Sequence, residues 1–221
     1  MNARKITLTA IGTILLGLAS LPSHAATIFS QDFEAGLGAN EATSGAFVLN
    51  TAGGSTMMGH AGSYSSDEYS FYQISNLALA GSNIQLSFNY AALFETHYDR
   101  FNVAVITGPL VLPAGVIRPT LSSDMQYVLN DDLHRPELGS DYYDTSNGNH
   151  QGVAQFDLSA FSGSTVSIRF QFGSDGSVVS SGINMDNILI TGDQNAVPEP
   201  ATFALLGLGL AGLGLSRRKR A

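Results

Sequence analysis

Apolar and polar residues alternate in several stretches of the middle of this chain. The alternation is clearest in Asn83–Ala91, Arg100–Ile106 and Ser164–Phe172, where an apolar residue recurs at every second position. A repeat of two is typical of a strand with one buried face and one face in water, so with the weaker cases the sequence predicts about nine strands. The weaker strand candidates are Thr27–Phe33, Ala46–Asn50, Tyr69–Ser75, Met125–Leu129, Val153–Leu158 and Ile183–Thr191.

Turn-forming residues separate these stretches, and none of the region between the two chain ends has a sustained helical repeat. Short runs rich in glycine and serine, such as Gly59–Ser66 and Gly173–Gly182, end the strand candidates. Half-buried sheets must pair their apolar faces, so the pattern predicts an all-β fold, a β-sandwich or jelly roll. Pro109–Gln151 interrupts the succession of strand candidates and turns. It is predicted to be a long surface excursion, a kind of segment that often carries function.

The last strand candidate contains a change of phase. Ile183 and Met185 fall at odd positions, whereas Ile188 and Ile190 fall at even positions. One extra residue in a strand produces such a slip, and the pattern therefore predicts a β-bulge near Asp186-Asn187 that turns the Asp186 side chain towards a site.

The first 25 residues have the three parts of a secretory signal peptide. Arg4 and Lys5 are basic, Ile6–Leu21 is apolar, and Pro22–Ala25 supplies small residues before a cleavage site after Ala25 or Ala26. An uncleaved N-terminal anchor is the alternative. Removal of this segment leaves residues 26–196 as one predicted domain, which is long enough to bury a core.

The C-terminal segment, residues 197–221, has three chemically distinct parts in a fixed order. Val197-Pro198-Glu199-Pro200 presents an acid between two prolines. Ala201–Leu215 is an uncharged, glycine-rich run that predicts a short transmembrane helix, and basic residues follow it, which favour the cytoplasmic side. The basic residues are Arg217, Arg218, Lys219 and Arg220. Physical chemistry alone predicts a membrane anchor here.

The same order of parts closely resembles the PEP-CTERM sorting signal of Gram-negative bacteria that make extracellular polysaccharide. In that family an exosortase is thought to recognise the Pro-Glu-Pro element, and the tail is removed during export. The resemblance implies passage through the inner membrane, with the cell surface or extracellular matrix as the destination. It does not indicate what the exported domain does.

Charge excludes some classes of partner. All 18 acidic residues lie between Asp32 and Glu199, where Arg100, Arg118, Arg135 and Arg169 are the basic residues, so this region has a formal charge of −14. Such a region repels nucleic acid and anionic membrane surfaces, and it makes divalent cations plausible ligands. The chain has no cysteine, which excludes a disulfide framework and a thiolate metal site.

Phe156–Thr191 resembles the C-terminal half of MAM-like and carbohydrate-binding-module-like jelly rolls. The resemblance rests on a strand ending in Asp-Leu-Ser, a Phe-Ser-Gly turn, an Ile-Arg-Phe strand and a closing Met-Asp-Asn-Ile strand. Such domains often hold a structural calcium between an acid near the first strand and an acid in the last. The resemblance therefore implies Asp32 or Glu34, together with Asp186, as ligands of Ca²⁺, a cation that takes carboxylate and carbonyl oxygens.

Two further groups of residues suggest chemistry. Tyr142 and Tyr143, between two aspartates in the excursion, are the best candidates for a pair of rings that stack on sugars, although the same rings can instead pack the excursion onto the sandwich. Histidines near acids suggest a general base, yet none of the spacings of known catalytic motifs occurs. Those histidines are His60, His97, His134 and His150, and the acids near them are Glu95, Asp99 and Asp132.

The sequence thus predicts a non-catalytic exported module, stabilised by calcium, that binds polysaccharide or protein at the cell surface or in the matrix. One alternative is a secreted glycan hydrolase with paired carboxylates, whose geometry a sequence does not reveal. Another alternative is a calcium-dependent adhesin that self-associates.

Overall fold

The computed structural model describes residues 24–109, 115–122, 126–128, 142–144 and 149–194. Each of the nine predicted strands is present. The structure adds five strands that the alternation did not predict, four of them only three or four residues long. Residues 1–23, the predicted C-terminal helix and much of the predicted excursion lie outside the described residues.

Seven strands form the first sheet, sheet A. They are β1 (His24–Gln31), β3 (Phe47–Ala52), β4 (Ser55–His60), β6 (Ser82–Leu93), β9 (Pro119–Ser122), β12 (His150–Asp157) and β14 (Gly182–Gln194). Their order is β3-β4-β14-β6-β12-β9, with β1 also paired to β14, and all neighbours are antiparallel.

Seven other strands form sheet B. They are β2 (Glu41–Ser44), β5 (Tyr69–Ala78), β7 (Arg100–Ile106), β8 (Gly115–Ile117), β10 (Gln126–Val128), β11 (Tyr142–Asp144) and β13 (Thr165–Gly173). Their order is β10-β11-β7-β13-β5-β2, with β8 also paired to β7. Four strands within the predicted excursion, β8 to β11, therefore extend the two sheets.

The inward-facing apolar residues of the two sheets form one core, so the domain is an all-β sandwich of the jelly-roll type, as predicted. Phe88 of sheet A meets Phe170 of sheet B edge to face, with ring centroids 5.2 Å apart, and Phe33 meets Tyr72 at 5.4 Å. All four rings are at most 1% exposed. Edge-to-face pairs of this kind stabilise the interface beyond the area they bury.

Strand β14 has two different partners along one edge. Its first half pairs with β4 through Asn184 and Met185, and its second half pairs with β1 from Ile188 to Gln194. On the other edge, the register with β6 slips between Asp186 and Leu189, and Asn187 has a φ of 53°. The predicted bulge is confirmed, and it marks the point where β4 gives way to β1.

Residues 24–195 form one compact unit. Within the described part of the chain, no helix has the length and apolar character that crossing a membrane requires.

Truncation of a core ring tests this packing. Phe170→Ala is expected to lower the free energy of unfolding by about 3–5 kcal/mol, because it leaves a cavity between the sheets. Leu189→Ala is the control, because Leu189 is 38% exposed, and a loss of under about 1 kcal/mol is expected. Urea unfolding of the purified chain measures both, and equal losses would contradict the core as described.

Candidate functional site

The structure brings two of the predicted calcium ligands together. The Ser55 hydroxyl lies 3.1 Å from Oε1 of Glu34 and 2.9 Å from Oδ2 of Asp186. The Thr56 amide donates to Glu34 Oε1 at 2.7 Å, and this bond is the main cause of a lowered pKa of the Glu34 carboxyl. The start of β4 thus links the turn after β1 to the bulge in β14.

This arrangement leaves one hydrogen for two acceptors. A serine hydroxyl has a single hydrogen, so it can donate fully to only one of the carboxylates of Glu34 and Asp186. The other short contact then joins two oxygen atoms through their lone pairs. Carboxylate and hydroxyl oxygens gathered in this way are the kind of donor that Ca²⁺ takes, so the residues fit the ion that the resemblance implies.

Asp32 is placed differently from Glu34. Its Oδ1 accepts the Glu34 amide at 3.2 Å, a turn-capping bond. Asp32 also lines, with Asn187, a surface cavity of about 360 Å³. Asp32 therefore lies next to the Glu34–Asp186 pair. The carboxylate that contacts the Ser55 hydroxyl, and through it Asp186, is that of Glu34.

A second group of acids lies at one end of the sandwich. Carboxylate oxygens of Glu95, Asp99 and Asp175 lie within 4.8 Å of one another. The carboxylate of Asp99 accepts hydrogen bonds from the Tyr64 hydroxyl and from the amides of Glu95 and Asp175, at 3.1 and 3.0 Å for the amides. These hydrogen bonds thus connect the loop that contains Tyr64, the loop that contains Glu95 and Asp99, and the loop that contains Asp175.

Asp99 has an unusual environment for a carboxyl group, because it is 0% exposed. Burial raises its pKa to about 6, although its three donors favour the charged form, and the nearby charge of Asp175 adds to the rise. Sequence proximity did not predict this group, because Asp175 comes from a different loop from Glu95 and Asp99 and only the fold brings the three together.

His60 forms a buried pair with Glu68, which is not one of the acids that sequence proximity suggested. Nδ1 of His60 accepts the Ile183 amide at 3.1 Å, so Nε2 carries the hydrogen and donates to Glu68 at 2.8 Å. Burial lowers the pKa of His60, because it disfavours the charged imidazolium. For Glu68, burial acts to raise the pKa, but donors from Ser70, Ser65 and His60 outweigh it and lower the pKa.

Gly182 packs directly against the imidazole ring of His60. It has a φ of 72°, and a Cβ built on it would lie 2.1 Å from Nδ1 of His60. Both the backbone conformation and the space therefore require glycine.

Of the other three histidines named above, two lie among the described residues. His97 is exposed and has a φ of 70°, and His150 is half-buried. Asp99 bonds to Tyr64 and to backbone amides, as described above. His134 and its neighbour Asp132 lie outside the described residues.

The tyrosine pair proposed as an exposed sugar platform is buried, which corrects that interpretation. Tyr142 and Tyr143 are both 0% exposed. The Tyr143 ring lies in the core, 6.0 Å from Phe101, and the Tyr142 ring lies 4.2 Å from the guanidinium carbon of Arg100. Alternation along the short strand β11 sends one ring to each face of sheet B, where each is covered.

A different set of side chains lies on the outer face of sheet B, where three of them are half-buried and the fourth, Arg169, is only 6% exposed. We call it the β5–β13 patch, and it consists of Tyr69, Phe71, Gln73 and Arg169. Arg169 stacks over the Phe71 ring, 3.9 Å from its centroid, and donates to Gln73 Oε1 at 2.9 Å from Nε and 2.7 Å from Nη2.

The patch continues as a chain of hydrogen bonds towards β7. Arg169 donates to the Tyr69 hydroxyl at 3.3 Å, that hydroxyl donates to Gln171 at 3.0 Å, and Gln171 donates to Asn102 at 2.7 Å. The β7 side is closed, since Gln171, Asn102 and Arg100 are 0% exposed. The β5 side is more accessible, since Tyr69, Phe71 and Gln73 are half-buried.

Comparison with protein families identifies the sorting segment. Residues 196–219 match the PEP-CTERM protein-sorting motif, so the predicted C-terminal signal is confirmed. No curated protein is similar enough to the chain to count as a match.

Several solved structures are distantly similar to this chain. The K3 cleaved adhesin domain of Lys-gingipain from Porphyromonas gingivalis is 17% identical, with 76% of this chain and 99% of that chain covered and a TM-score of 0.43. TmCBM27, a carbohydrate-binding module that recognises mannan, is 13% identical, with 78% of this chain and 100% of that chain covered and a TM-score of 0.42. CBM28, a module specific for non-crystalline cellulose, is 14% identical, with 79% of this chain and 94% of that chain covered and a TM-score of 0.42.

Acidification tests the His60 pair. The folded pKa of His60 lies below the unfolded value of 6.5, so its contribution to stability is complete above pH 6.5 and is lost as the pH falls below it. We expect the unfolding free energy to fall less steeply between pH 7.5 and 5 in His60→Gln than in the unsubstituted chain.

His97→Gln is the matched control for this measurement and should follow the unsubstituted chain. The raised pKa of Asp99 acts in the opposite direction, with stability highest below about pH 4 and lost as the pH rises towards 6. That contribution is common to all three proteins and cancels in the comparison. Identical pH slopes for His60→Gln and the unsubstituted chain would contradict a buried, neutral histidine.

Proposed function

We propose that this chain is an exported surface module that binds polysaccharide through the β5–β13 patch, is held together by calcium at Glu34 and Asp186, and has no catalytic activity. The observation that carries the binding proposal is the patch itself, where two half-buried aromatic rings lie among fixed planar polar groups. In this proposal the sorting motif determines where the chain is exported, and the patch binds polysaccharide there.

The patch has the chemistry that a sugar surface needs. Aromatic rings such as Tyr69 and Phe71 provide flat apolar area at a low cost in conformational entropy. The guanidinium of Arg169 and the amide of Gln73 are already held by their mutual hydrogen bonds. Side chains that are ordered before binding lose little freedom on binding, which favours affinity.

The patch suits an extended ligand better than a small one. It lies on a sheet face between the closed side at β7 and the exposed residues Ala42 and Ser44 of the edge strand β2. A chain of sugars that crosses β5 would place its flat faces on the rings and its hydroxyl groups near Gln73. A cell-surface or matrix polysaccharide is such a ligand.

Asp99, the described acid with a raised pKa, is not placed for glycoside hydrolysis. Asp99 has the raised pKa that a general acid needs, but it is 0% exposed, and its oxygens are occupied by Tyr64 and two amides. A glycosidic oxygen would have to displace the Tyr64 hydroxyl to reach it. The hydrolase alternative is therefore the weaker proposal.

Calcium at Glu34 and Asp186 would act as a structural clip. Glu34 follows the first strand and Asp186 lies in the last, so one ion bound to both would restrict the unfolded chain over nearly the whole domain. The bulge at Asp186-Asn187 supplies the local distortion that aims the Asp186 carboxylate at Ser55.

We further propose that an exosortase-type enzyme acts on the sorting motif as the chain leaves the inner membrane. Seventeen of the 18 acidic residues precede the sorting motif, so the exported part stays strongly negative, which keeps it in solution and away from anionic surfaces. Nucleic acid is not among the proposed partners.

Removal of an aromatic ring from the patch tests glycan binding. Phe71→Ala should weaken binding to a soluble polysaccharide by about tenfold, because it removes a stacking surface and releases Arg169. Affinity electrophoresis of the purified chain against soluble glucan, mannan and xylan measures the effect. Tyr98→Ala is the control, because Tyr98 is 43% exposed in a loop outside the patch.

Equal weakening in Phe71→Ala and Tyr98→Ala would place any binding elsewhere. Release of reducing sugar from the polysaccharide would favour the hydrolase. Calcium-dependent assembly of the chain, with no retardation by any glycan, would favour the self-associating adhesin.

Removal of calcium tests the clip. A chelator should lower the melting temperature of the purified chain by several degrees, since a ligand bound to the folded state alone stabilises it. In Asp186→Asn and Glu34→Gln the melting temperature should be the same with calcium and with chelator.

Asp157→Asn is the control for the calcium experiment. Oδ1 of Asp157 accepts a hydrogen bond from the Ser159 amide at 2.8 Å, just before the 3-10 turn at Ser159–Phe161. Its loss should lower the melting temperature but leave the difference between calcium and chelator unchanged. An unsubstituted chain that melts at one temperature in both conditions would remove calcium from the proposal.

A further inference from the structure

Arg169 is a buried cation that has no acidic partner among the described residues. Its side chain is 6% exposed, and its guanidinium donates to Gln73 Oε1 and to the Tyr69 hydroxyl, which are both neutral acceptors. Within the described ranges an ion pair joins His60 and Glu68, and none includes Arg169. Buried charges in proteins are normally paired, because removal of a charge from water is costly without an opposite charge nearby.

The guanidinium has two N–H hydrogens that these bonds do not use. An arginine side chain has five such hydrogens, one on Nε and two on each Nη. The bonds of Arg169 to Gln73 and Tyr69 take one hydrogen from each of the three nitrogens, which leaves one on Nη1 and one on Nη2. The Phe71 ring, 3.9 Å away, holds the guanidinium plane in place. A planar carboxylate can accept from two guanidinium hydrogens at once.

The outward side of the strands around Arg169 carries positive charge, although the domain is acidic. The adjacent strands β7, β13, β5 and β2 contain two arginines, Arg100 and Arg169, and one acid, Glu41. Glu41 lies opposite the core residue Ile74 and accepts a hydrogen bond from Gln31 of sheet A at 2.7 Å, so its carboxylate is on the inner side of sheet B. The outward positions of these four strands therefore carry arginine and no carboxylate.

We propose that the polysaccharide bound by the β5–β13 patch is an acidic one, whose uronate carboxylate pairs with the guanidinium of Arg169. The inference rests on the proposed function, because it names the ligand class of the same patch. Sugar rings lie on Tyr69 and Phe71, and the carboxylate supplies the negative charge that Arg169 lacks. Neutral polysaccharides offer the same ring faces but leave the buried charge unpaired, so they bind more weakly.

The contact with Tyr69 is the one that a carboxylate displaces most easily. The bond from Nη1 of Arg169 to the Tyr69 hydroxyl is 3.3 Å long, against 2.9 and 2.7 Å for the bonds to Gln73. Hydrogen bonds to a charged acceptor are about twice as strong as those to a neutral one. The hydroxyl keeps its own bond to Gln171 at 3.0 Å, so its displacement from Arg169 leaves no donor of Tyr69 unpaired.

The net charge of the domain does not exclude an acidic ligand. The candidate calcium site belongs to sheet A, on the other side of the sandwich. The group of Glu95, Asp99 and Asp175 lies beyond Gly173, which is four residues from Arg169, or about 13 Å along β13. At physiological ionic strength, repulsion over more than about 8 Å is largely screened, whereas a buried pair is screened much less. A uronate at Arg169 therefore interacts mainly with the local positive charge.

Matched pairs of oligosaccharides test the inference on the unsubstituted chain. Isothermal titration at neutral pH and an ionic strength of about 0.15 M compares oligosaccharides of alginate, galacturonan and hyaluronan with their carboxyl-reduced forms. Each pair shares a backbone and differs in charge. In at least one pair the acidic form should bind about tenfold more tightly than the reduced form. Equal binding within every pair would overturn the inference.

Substitution of the arginine tests the assigned residue. Arg169→Gln should reduce the ratio of the two affinities to about one, because it removes the charge. Arg169→Lys should give an intermediate ratio, since an ammonium group keeps the charge but has no planar fork. Arg118→Gln is the matched control, because it removes the same charge from an exposed position directly after β8, and it should keep the full ratio.

Tyr69→Phe tests the position of the carboxylate without loss of the ring. The substitution removes the hydroxyl that occupies Nη1 of Arg169. The affinity ratio of acidic to reduced oligosaccharide should therefore rise by about threefold. An unchanged or lower ratio would overturn the assignment of the carboxylate to this edge of the guanidinium.

The outcomes separate this inference from the proposed function. If no oligosaccharide binds, acidic or reduced, and no neutral polysaccharide binds, the proposed function fails and the inference fails with it. Binding that Phe71→Ala weakens, but that is equal for acidic and reduced forms, would overturn the inference alone. A preference for acidic forms that persists in Arg169→Gln would place the carboxylate elsewhere and overturn it as well.

Discussion

Strand β14 is the element on which the rest of this structure depends. It pairs with β6 on one edge and with both β4 and β1 on the other, so it joins the chain ends to the middle of sheet A. A single extra residue near Asp186 coincides with this division, because a bulge bends the strand and locally interrupts its pairing. The candidate calcium site lies where those partners meet.

Much of this architecture could be predicted from the sequence. Nine strands were predicted because their apolar residues alternate, and the change of phase after Met185 gave the position of the bulge. Strands such as β8 and β11 were not predicted, since three residues are too few to show a period. Such strands depend on the sheet edge they join, which the local sequence does not describe.

The sites were less predictable than the fold, for two different reasons. The meeting of Glu34 and Asp186 depends on Ser55, a residue with no signal of its own in the sequence. Tyr142 and Tyr143 have polar neighbours and looked like surface residues, but a tyrosine ring is large enough that tertiary packing decides its burial. The β5–β13 patch was hidden because Arg169 and Phe71 are about a hundred positions apart and meet only through strand pairing.

The fit between Gly182 and His60 has a consequence for related sequences. Since the imidazole occupies the space of any side chain at 182, the two positions cannot vary independently. A descendant that acquires alanine at 182 must both replace the ring at 60 and bear a strained backbone at 182, and Glu68 would then lose its buried donor. Positions 60, 68 and 182 should therefore co-vary as a triplet in an alignment of homologues, although 122 residues separate the first from the last.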